Sequence, residues 1–427
     1  MVLEKPKLFL DTREFVLAMG ILLAIIFFRL YLLHGEYREF ISKPFYYTEA
    51  TVLQQYSKSK KGKSYEVLKL RSKEGWQFYT TAKLLENLTG QSLRIKLIPD
   101  GKISFDDYLG TFFVKTRIKE RRPSPESAKS DLLDLIAEQH EDPGIVSFYQ
   151  AIFLATPIPK TLREQIAGLG VSHLVALSGF HLTILWGLIY GVLSLVYKPL
   201  QQRKFPYRYM LLDMGLVALG VLGFYLWFVD FPPSLVRSYA MLTIAWVMLL
   251  LGIELISFSF LGSVVMLLLA LFPTLMASLG FWFSVTGVFY IYLLLHWSQK
   301  SSTWLSSKWI ISMFYIPVGI FILMLPVVHG IFGVTSPWQL LSPILSLIFT
   351  LFYPLVIGLH LIGWGGMFDS SLQWLFALPS ESYQSLLPTW VVIGYVLLSL
   401  GAMRSRMLFW ITLGFAVLYL LYLYAFV

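Results

Sequence analysis

Gly170-Val171-Ser172-His173-Leu174-Val175-Ala176-Leu177-Ser178-Gly179-Phe180-His181 sets two histidines and a Ser-Gly pair at the entrance to a long apolar run. Polar side chains at such a place are costly in lipid, so they face a packed interior or a water-filled path. The run behind them, 173–197, is one of a series. Candidate spans follow at 209–229, 235–256, 261–273 (short), 279–297, 309–328, 389–402 and 407–426, and one precedes them at 15–33. Most approach the ~20 apolar residues that a membrane helix needs. Hydrophobic residues make up 56% of the chain and charged ones 14%, with a mean hydropathy of +0.66. The sequence therefore predicts a polytopic α-helical membrane protein with about 8–10 membrane segments. Its lack of cysteine excludes disulfides, thiol chemistry and cysteine metal sites.

One segment breaks the pattern. Residues 36–120 are polar and read as strands at 45–56, 63–71, 76–81, 92–98 and 111–118, with a short helix at 82–88. The order β-β-β-α-β-β is what a five-stranded OB-fold barrel needs. Such barrels hold single strands through basic grooves and stacked aromatics. Tyr65, Lys69 and Arg71 share one strand face, and Trp76 and Phe78 share another. The competing reading is that these aromatics are barrel core. Residues 36–130 carry 19 Lys and Arg against 11 Asp and Glu, whereas 131–427 carry 11 of each. A basic soluble module beside a neutral membrane body suits a polyanion, either nucleic acid or anionic lipid headgroups.

The chain thus divides into an N-terminal membrane helix (1–35), the β-rich module (36–120), a linker with amphipathic surface helices at 131–140 and 145–154 (121–170), and a multi-helix body (171–427). Lys5, Lys7 and Arg13 before the first span predict a cytoplasmic N-terminus and a module on the outer face. The loops 198–208, with Lys198, Arg203, Lys204 and Arg208, and 298–308, with Lys300 and Lys308, then fall inside. Pro343 and Pro354 predict that 338–361 is a broken or re-entrant pair of half-helices, a form that survives at membrane depth only inside protein or along a water-filled cavity.

The His173-x4-Ser178-Gly179-x-His181 cluster admits three readings. On one helix its histidines would lie within about 80° of each other. A metal site lacks a neighbouring carboxylate or cysteine. A serine nucleophile at Ser178 with a histidine base invites comparison with rhomboid-type proteases, but their Gly-x-Ser-Gly would need glycine where Ala176 stands. The third reading is a pore-lining helix entrance. Lys61-Gly62-Lys63-Ser64 is not a phosphate-binding loop, because Ser57 replaces the required glycine and a strand follows.

The stretch Gly170-x-x-His173-Leu-Val-Ala-Leu-Ser178-Gly179-Phe-His181 resembles the signature of the ComEC family, the inner-membrane DNA-uptake channels of naturally competent bacteria. Pro233-Ser234-Leu235-Val236-Arg237-Ser238-Tyr239-Ala240-Met241 is similar to that family's Pro-Ser-x-x-Arg-(small)-x-x-Met. Phe272-Pro273 with Leu279-Gly280-Phe281-Trp282-Phe283-Ser284 is similar to its Asn-Pro and Gly-Phe-Gln-Leu-Ser segments, with Phe272 and Trp282 replacing Asn and Gln. The resemblance implies a non-enzymatic channel for single-stranded DNA in the bacterial inner membrane, without cofactor or metal. His173, Ser178, Gly179, His181 and Arg237 would lie along the DNA path, Arg237 as a phosphate contact or paired with Asp230. The basic module would grip the strand through Tyr65, Lys69, Arg71, Trp76 and Phe78. Implied partners are membrane lipids, an outer-side DNA receptor, and a separate cytoplasmic motor or strand-binding protein. The family's metallo-β-lactamase-like motif is missing, so any nuclease would be a separate protein. The alternatives are an intramembrane serine hydrolase centred on Ser178 and a small-molecule or lipid transporter.

Overall fold

The first apolar run folds as α1 (Thr12–Ser42), 31 residues long and therefore longer than a bilayer needs. Its apolar side chains (Val16, Leu17, Ile21, Phe27 and Phe28) are exposed, as a lipid-facing helix requires. The last turns do something else. Phe40 is 1% exposed, and its ring meets Tyr46 at 5.2 Å, Trp76 at 4.9 Å, Tyr108 at 5.5 Å and Phe112 at 5.5 Å. Tyr37 donates its hydroxyl to Ile103 O at 2.8 Å. The helix that leaves the apolar run thus becomes part of the core of the β-rich module.

The computed structural model describes residues 8–9, 11–60, 63–83, 86, 88–122, 128–298, 314–378 and 382–425. Its contacts separate residues 7–131 with 262–282 from the remainder. In the first of these units, β1 (Tyr46–Lys60) pairs antiparallel with both β2 (Lys63–Ser72) and β4 (Ser92–Ile98). β2 pairs with β3 (Gln77–Ala82), and β4 with β6 (Lys115–Arg122). The two-residue β5 (Phe112–Phe113) lies parallel to β3. Val114 joins β5 to β6 and donates its N–H to Tyr79 O at 2.9 Å, so the pairing circuit β1-β2-β3-β5/β6-β4-β1 returns on itself. Alternation explains the two faces. Leu93, Ile95 and Leu97 point inward with Leu68, Leu70 and Phe78, all at 0% exposure, while Arg94 and Lys96 point outward.

The strands fall close to the expected segments, but the helix does not. Ala82, expected to begin it, ends β3; residues 84, 85 and 87 lie outside the described residues. The described helix is α2 (Phe105–Leu109), opened by a capping box between Ser104 and Asp107. Arg121 and Arg122, expected in the linker, extend β6. The 3₁₀ turn Pro273–Ala277 belongs to the same unit and packs near α2. A Cβ on Gly110 would lie 3.4 Å from that of Ala277.

The other unit is helical. α3 (Ala128–Ala137) leads into it, followed by α4 (Pro143–Leu154), α5 (Lys160–Gly168), the single turn α6 (Ser172–Val175), α7 (Gly179–Lys204), α8 (Met210–Phe228) and α9 (Pro233–Leu250). Later in the chain come α10 (Phe258–Leu271), grouped from Gly262 on with the first unit as is the first turn of α11 (Leu279–Ser298), and then α12 (Ile316–His329), α13 (Ser342–Leu361), α14 (Asp369–Ala377), α15 (Thr389–Gly401) and α16 (Arg406–Ala425). Among the described residues, seven helices are long and apolar enough to cross a membrane: α1, α7, α8, α9, α11, α16, and α13 with the turn before it. α4, α10, α12 and α15 are apolar but shorter. Together with the β-rich module they make this a multi-pass membrane protein. Lys300 and Lys308 lie outside the described residues.

Helix α13 corrects one expectation. It runs unbroken from Ser342 to Leu361, with Pro343 in its first turn and Pro354 inside. Proline at a helix start removes an N–H that had no intrahelical partner, and a single interior proline is tolerated in membrane helices whose neighbours satisfy the freed carbonyl. No pair of half-helices forms.

Replacing Phe40 by Ala should lower the stability of the β-rich module by about 3–5 kcal/mol, read as a fall in the thermal midpoint of its protease resistance. Membrane insertion, set by the apolar run 15–33, should be unchanged.

Candidate functional site

The Gly170–His181 stretch is not one helix. α5 ends in a Schellman motif: Gly170 N–H bonds Ala167 O at 3.0 Å and Val171 N–H bonds Ile166 O at 3.2 Å, with Gly170 at φ +68°. Besides this left-handed backbone, the space is closed. A Cβ on Gly170 would stand 3.3 Å from the Gln339 side chain and 3.4 Å from that of Ser342. Ser342 Oγ donates to Gly170 O at 3.0 Å, and Gln339 Nε2 donates to Ala167 O at 3.2 Å. The signature glycine thus lets the end of α5 sit directly on the start of α13.

After α6 the backbone is extended at Ala176 and Ser178, and α7 starts afresh at Gly179. His173 and His181 therefore stand on separate helices, which overturns the shared helical face expected from their spacing. His173 Nε2 lies 3.1 Å from Ser346 Oγ on α13. That hydroxyl spends its one hydrogen on Ser342 O at 2.8 Å, so His173 Nε2 is the donor. Ser178 is the N-cap of α7, and its backbone N–H donates to His181 Nδ1 at 3.3 Å. Nδ1 must then carry the lone pair, and the neutral ring has its hydrogen on Nε2. His181 is 0% exposed, and Nε2 has no partner among the described residues. Its ring meets Phe349 at 5.1 Å and Tyr353 at 4.9 Å, both edge-on and both from α13.

This geometry bears on nucleophilic chemistry. Ser178 Oγ and His181 Nδ1 are 3.3 Å apart, but a general base is oriented by a third group on its other nitrogen. His181 Nε2 has no such partner among the described residues. Among the described residues no metal-holding group of three or more His, Cys, Asp or Glu occurs.

Gly179 brings in α9. Its Cβ position lies 3.2 Å from Ser238 Oγ, the residue after Arg237. The Ser178-Gly179 turn and the Pro233–Met241 segment are thereby neighbours, with Arg237 half-buried on α9. The loop before α9 holds Asp230 at φ +65° and Phe231 at φ +50°, a left-handed pair that non-glycine residues rarely adopt.

In the β-rich module, Tyr65, Lys69 and Arg71 sit half-exposed on β2, with Lys69 Nζ 5.8 Å from the ring of its cross-strand partner Tyr79. Trp76 and Phe78 do not share one exposed face. Phe78 is fully buried and stacks on Phe112 at 5.7 Å. Trp76 packs on Phe40 and donates its indole N–H to Tyr108 Oη at 3.1 Å. Burial raises the Tyr108 phenol above its ordinary value, with the indole donation pulling the other way.

The sequence reading missed a better surface. Phe45 and Tyr47 are exposed beside Lys96, whose Nζ lies 3.7 Å from the Phe45 ring and 5.8 Å from the Tyr47 ring. Pairing sets Tyr47 against Lys96 and Lys96 against Arg117. Tyr47, Arg94, Lys119 and Glu120 line a cleft of about 440 Å³. The alternation of 92–98 already placed Arg94 and Lys96 outward; the register that adds Phe45 and Tyr47 was not visible.

Helices that can cross a bilayer, a glycine- and serine-sealed histidine signature and a basic β-rich module define a multi-pass membrane protein with a polar N-terminal module. The family model described as "Competence protein" matches residues 155–425, and the chain belongs to this family of ComEC-like competence proteins. That membership supports a role in DNA uptake during transformation. The match includes Gly170–His181, Pro233–Met241 and Phe272–Ser284, while the β-rich module lies before it. No curated protein and no solved structure matches the chain.

Gly170→Ala should cost about 1–2 kcal/mol from its left-handed backbone alone, with the Gln339 contact adding to it. Gly187→Ala, where a Cβ meets nothing within 4 Å, serves as control. Thermal unfolding in detergent should separate the two; equal midpoints would remove the close-approach role of Gly170.

Proposed function

We propose that this protein conducts single-stranded DNA across the bacterial inner membrane, with its N-terminus cytoplasmic and its β-rich module on the outer face. The observation that carries this reading is the outward surface of β1, β4 and β6, where Phe45 and Tyr47 flank Arg94, Lys96, Arg117 and Lys119. Cations spaced along strands with interleaved aromatic faces suit a phosphate backbone with stacked bases. The closed strand circuit supports an OB-type barrel as their scaffold. A polyphosphate cannot cross hydrocarbon unaided, so the helical body must supply a hydrated, partly cationic route, and Arg237 beside the Ser178-Gly179 turn suits it. An outer receptor that captures DNA and a cytoplasmic motor that pulls it are the partners this reading calls for.

The test uses full-length protein in nanodiscs with labelled oligonucleotides. Lys96→Ala and Arg94→Ala should weaken binding across sequences and lower the slope of log K against log salt by about 0.7 for each lost phosphate contact. Tyr47→Ala should weaken binding by about 1–3 kcal/mol, and Phe78→Ala should act only through stability. Arg237→Ala should reduce DNA import at normal protein level. Unchanged binding in all three surface variants would sink the assigned face. Preference for anionic vesicles over oligonucleotides would favour a lipid transporter. Ser178→Ala should retain import; loss of a hydrolytic turnover instead would favour the hydrolase.

A further inference from the structure

His140, His360 and Asp369 lie more than 200 residues apart at the extremes yet meet in the helical unit. His140, in the connection between α3 and α4, has a fully buried side chain, and its Nδ1 sits 2.9 and 3.0 Å from the two oxygens of Asp369 at the start of α14. Its Nε2 faces His360 Nε2 at 3.0 Å, and His360 Nδ1 lies 2.7 Å from Val356 O.

The hydrogen inventory of this chain is decisive. A carbonyl only accepts, so His360 Nδ1 carries a hydrogen. One hydrogen must lie between the two Nε2 atoms, because two lone pairs at 3.0 Å would repel. A third must lie between His140 Nδ1 and the carboxylate. Two neutral imidazoles and an ionised carboxylate bring only two hydrogens. The docked cluster therefore holds one proton more, as an imidazolium balanced by Asp369.

The surroundings suit that cation. Tyr149 of α4 stacks on the His140 ring at 4.6 Å and 12°, a cation–π geometry. Asp369 and Tyr149 are the titratable groups that face the pair. Asp142, on the same connection, is turned to Gly144 N at the α4 N-terminus and to Gln373 Nε2. Gln139 clamps the same joint, donating to His360 O at 3.2 Å and accepting from Gly365 N at 2.8 Å. A Cβ on Gly365 would collide with His360 and Gln139, and one on Gly366 with Gln139 O. The corner after α13 is thus shaped to receive the α3–α4 connection.

We propose that His140, His360 and Asp369 form a buried proton-binding latch that docks the α3–α4 connection onto the α13–α14 corner and releases it when the shared proton leaves. The sign follows from linkage. Above the ordinary imidazole value of about 6.5 the freed rings are neutral and the docked state binds one more proton; below it both freed rings are protonated and the docked pair binds one fewer, so docking is strongest near that value. It weakens about tenfold per pH unit above that until the docked cluster itself deprotonates.

The test is made on the full chain in nanodiscs with ¹⁵N-histidine. At pH 7.5 a ring of the coupled pair should show the imidazolium signature, lost in His140→Gln and in Asp369→Asn; seven neutral histidines in the wild type would overturn the proposal. Hydrogen exchange of residues 138–146, corrected for intrinsic rates, should rise about tenfold per unit between pH 7 and 8.5 in the wild type. Asp369→Asn should lose at least tenfold protection already at pH 6. Protection independent of pH in the wild type would sink the latch even if the variant failed to fold. Protection lost to a zinc chelator at constant pH would overturn it in favour of a metal between the two Nε2 atoms.

Discussion

Within twelve residues of the signature the chain leaves helical geometry twice, after Gly168 and between Ala176 and Ser178. In a membrane protein every backbone group freed by such a break must find a partner inside the protein. Ser342 at the start of α13 and Gln339 just before it supply two of them. Ser342 and Gln339 receive the end of α5, Ser346 receives His173, and Phe349 and Tyr353 cover His181. One continuous helix thus seals a discontinuous one. Residues 342, 346, 349 and 353 fall along one face of that helix, at the spacing of successive turns.

The signature acquires a different meaning from this arrangement. Its polar residues do local structural work before any other. Gly170 permits the tight approach, Ser178 caps α7, and His181 returns a bond to the cap. What remains over is His181 Nε2, a buried donor with no partner among the described residues, beside the turn where Gly179 meets Ser238 next to Arg237.

How much could be read from the residues depended on how local the cause was. The apolar runs and the strands are set by composition and period, and so they were legible. Ser92–Ile98 could be placed to the residue because its alternation is regular. The helix of the β-rich module was misplaced because 82–88 carries helix-favouring residues, whereas the described helix owes its start to the Ser104–Asp107 capping box, four letters in a short polar loop. Phe78 looked like a platform for bases because an exposed and a buried aromatic are the same letter; only closure of β3 against β5 decides which it is. Phe45 and Tyr47 become a surface with Lys96 only through cross-strand register, and His140 meets His360 only through tertiary packing. Neither relation leaves a trace in sequence spacing.

The shared core of α1 and the β-rich module sets a length. Residues 34–42 continue the helix past the apolar run and end with Phe40 inside the core of the β-rich module. Nine helical residues measure about 14 Å. Because Phe40 is part of the module's own core, that distance acts as a stand-off. The Tyr47–Lys96 face is therefore held at a fixed height and a fixed azimuth above its own anchor, and a strand bound there would have its heading chosen before it reached the membrane.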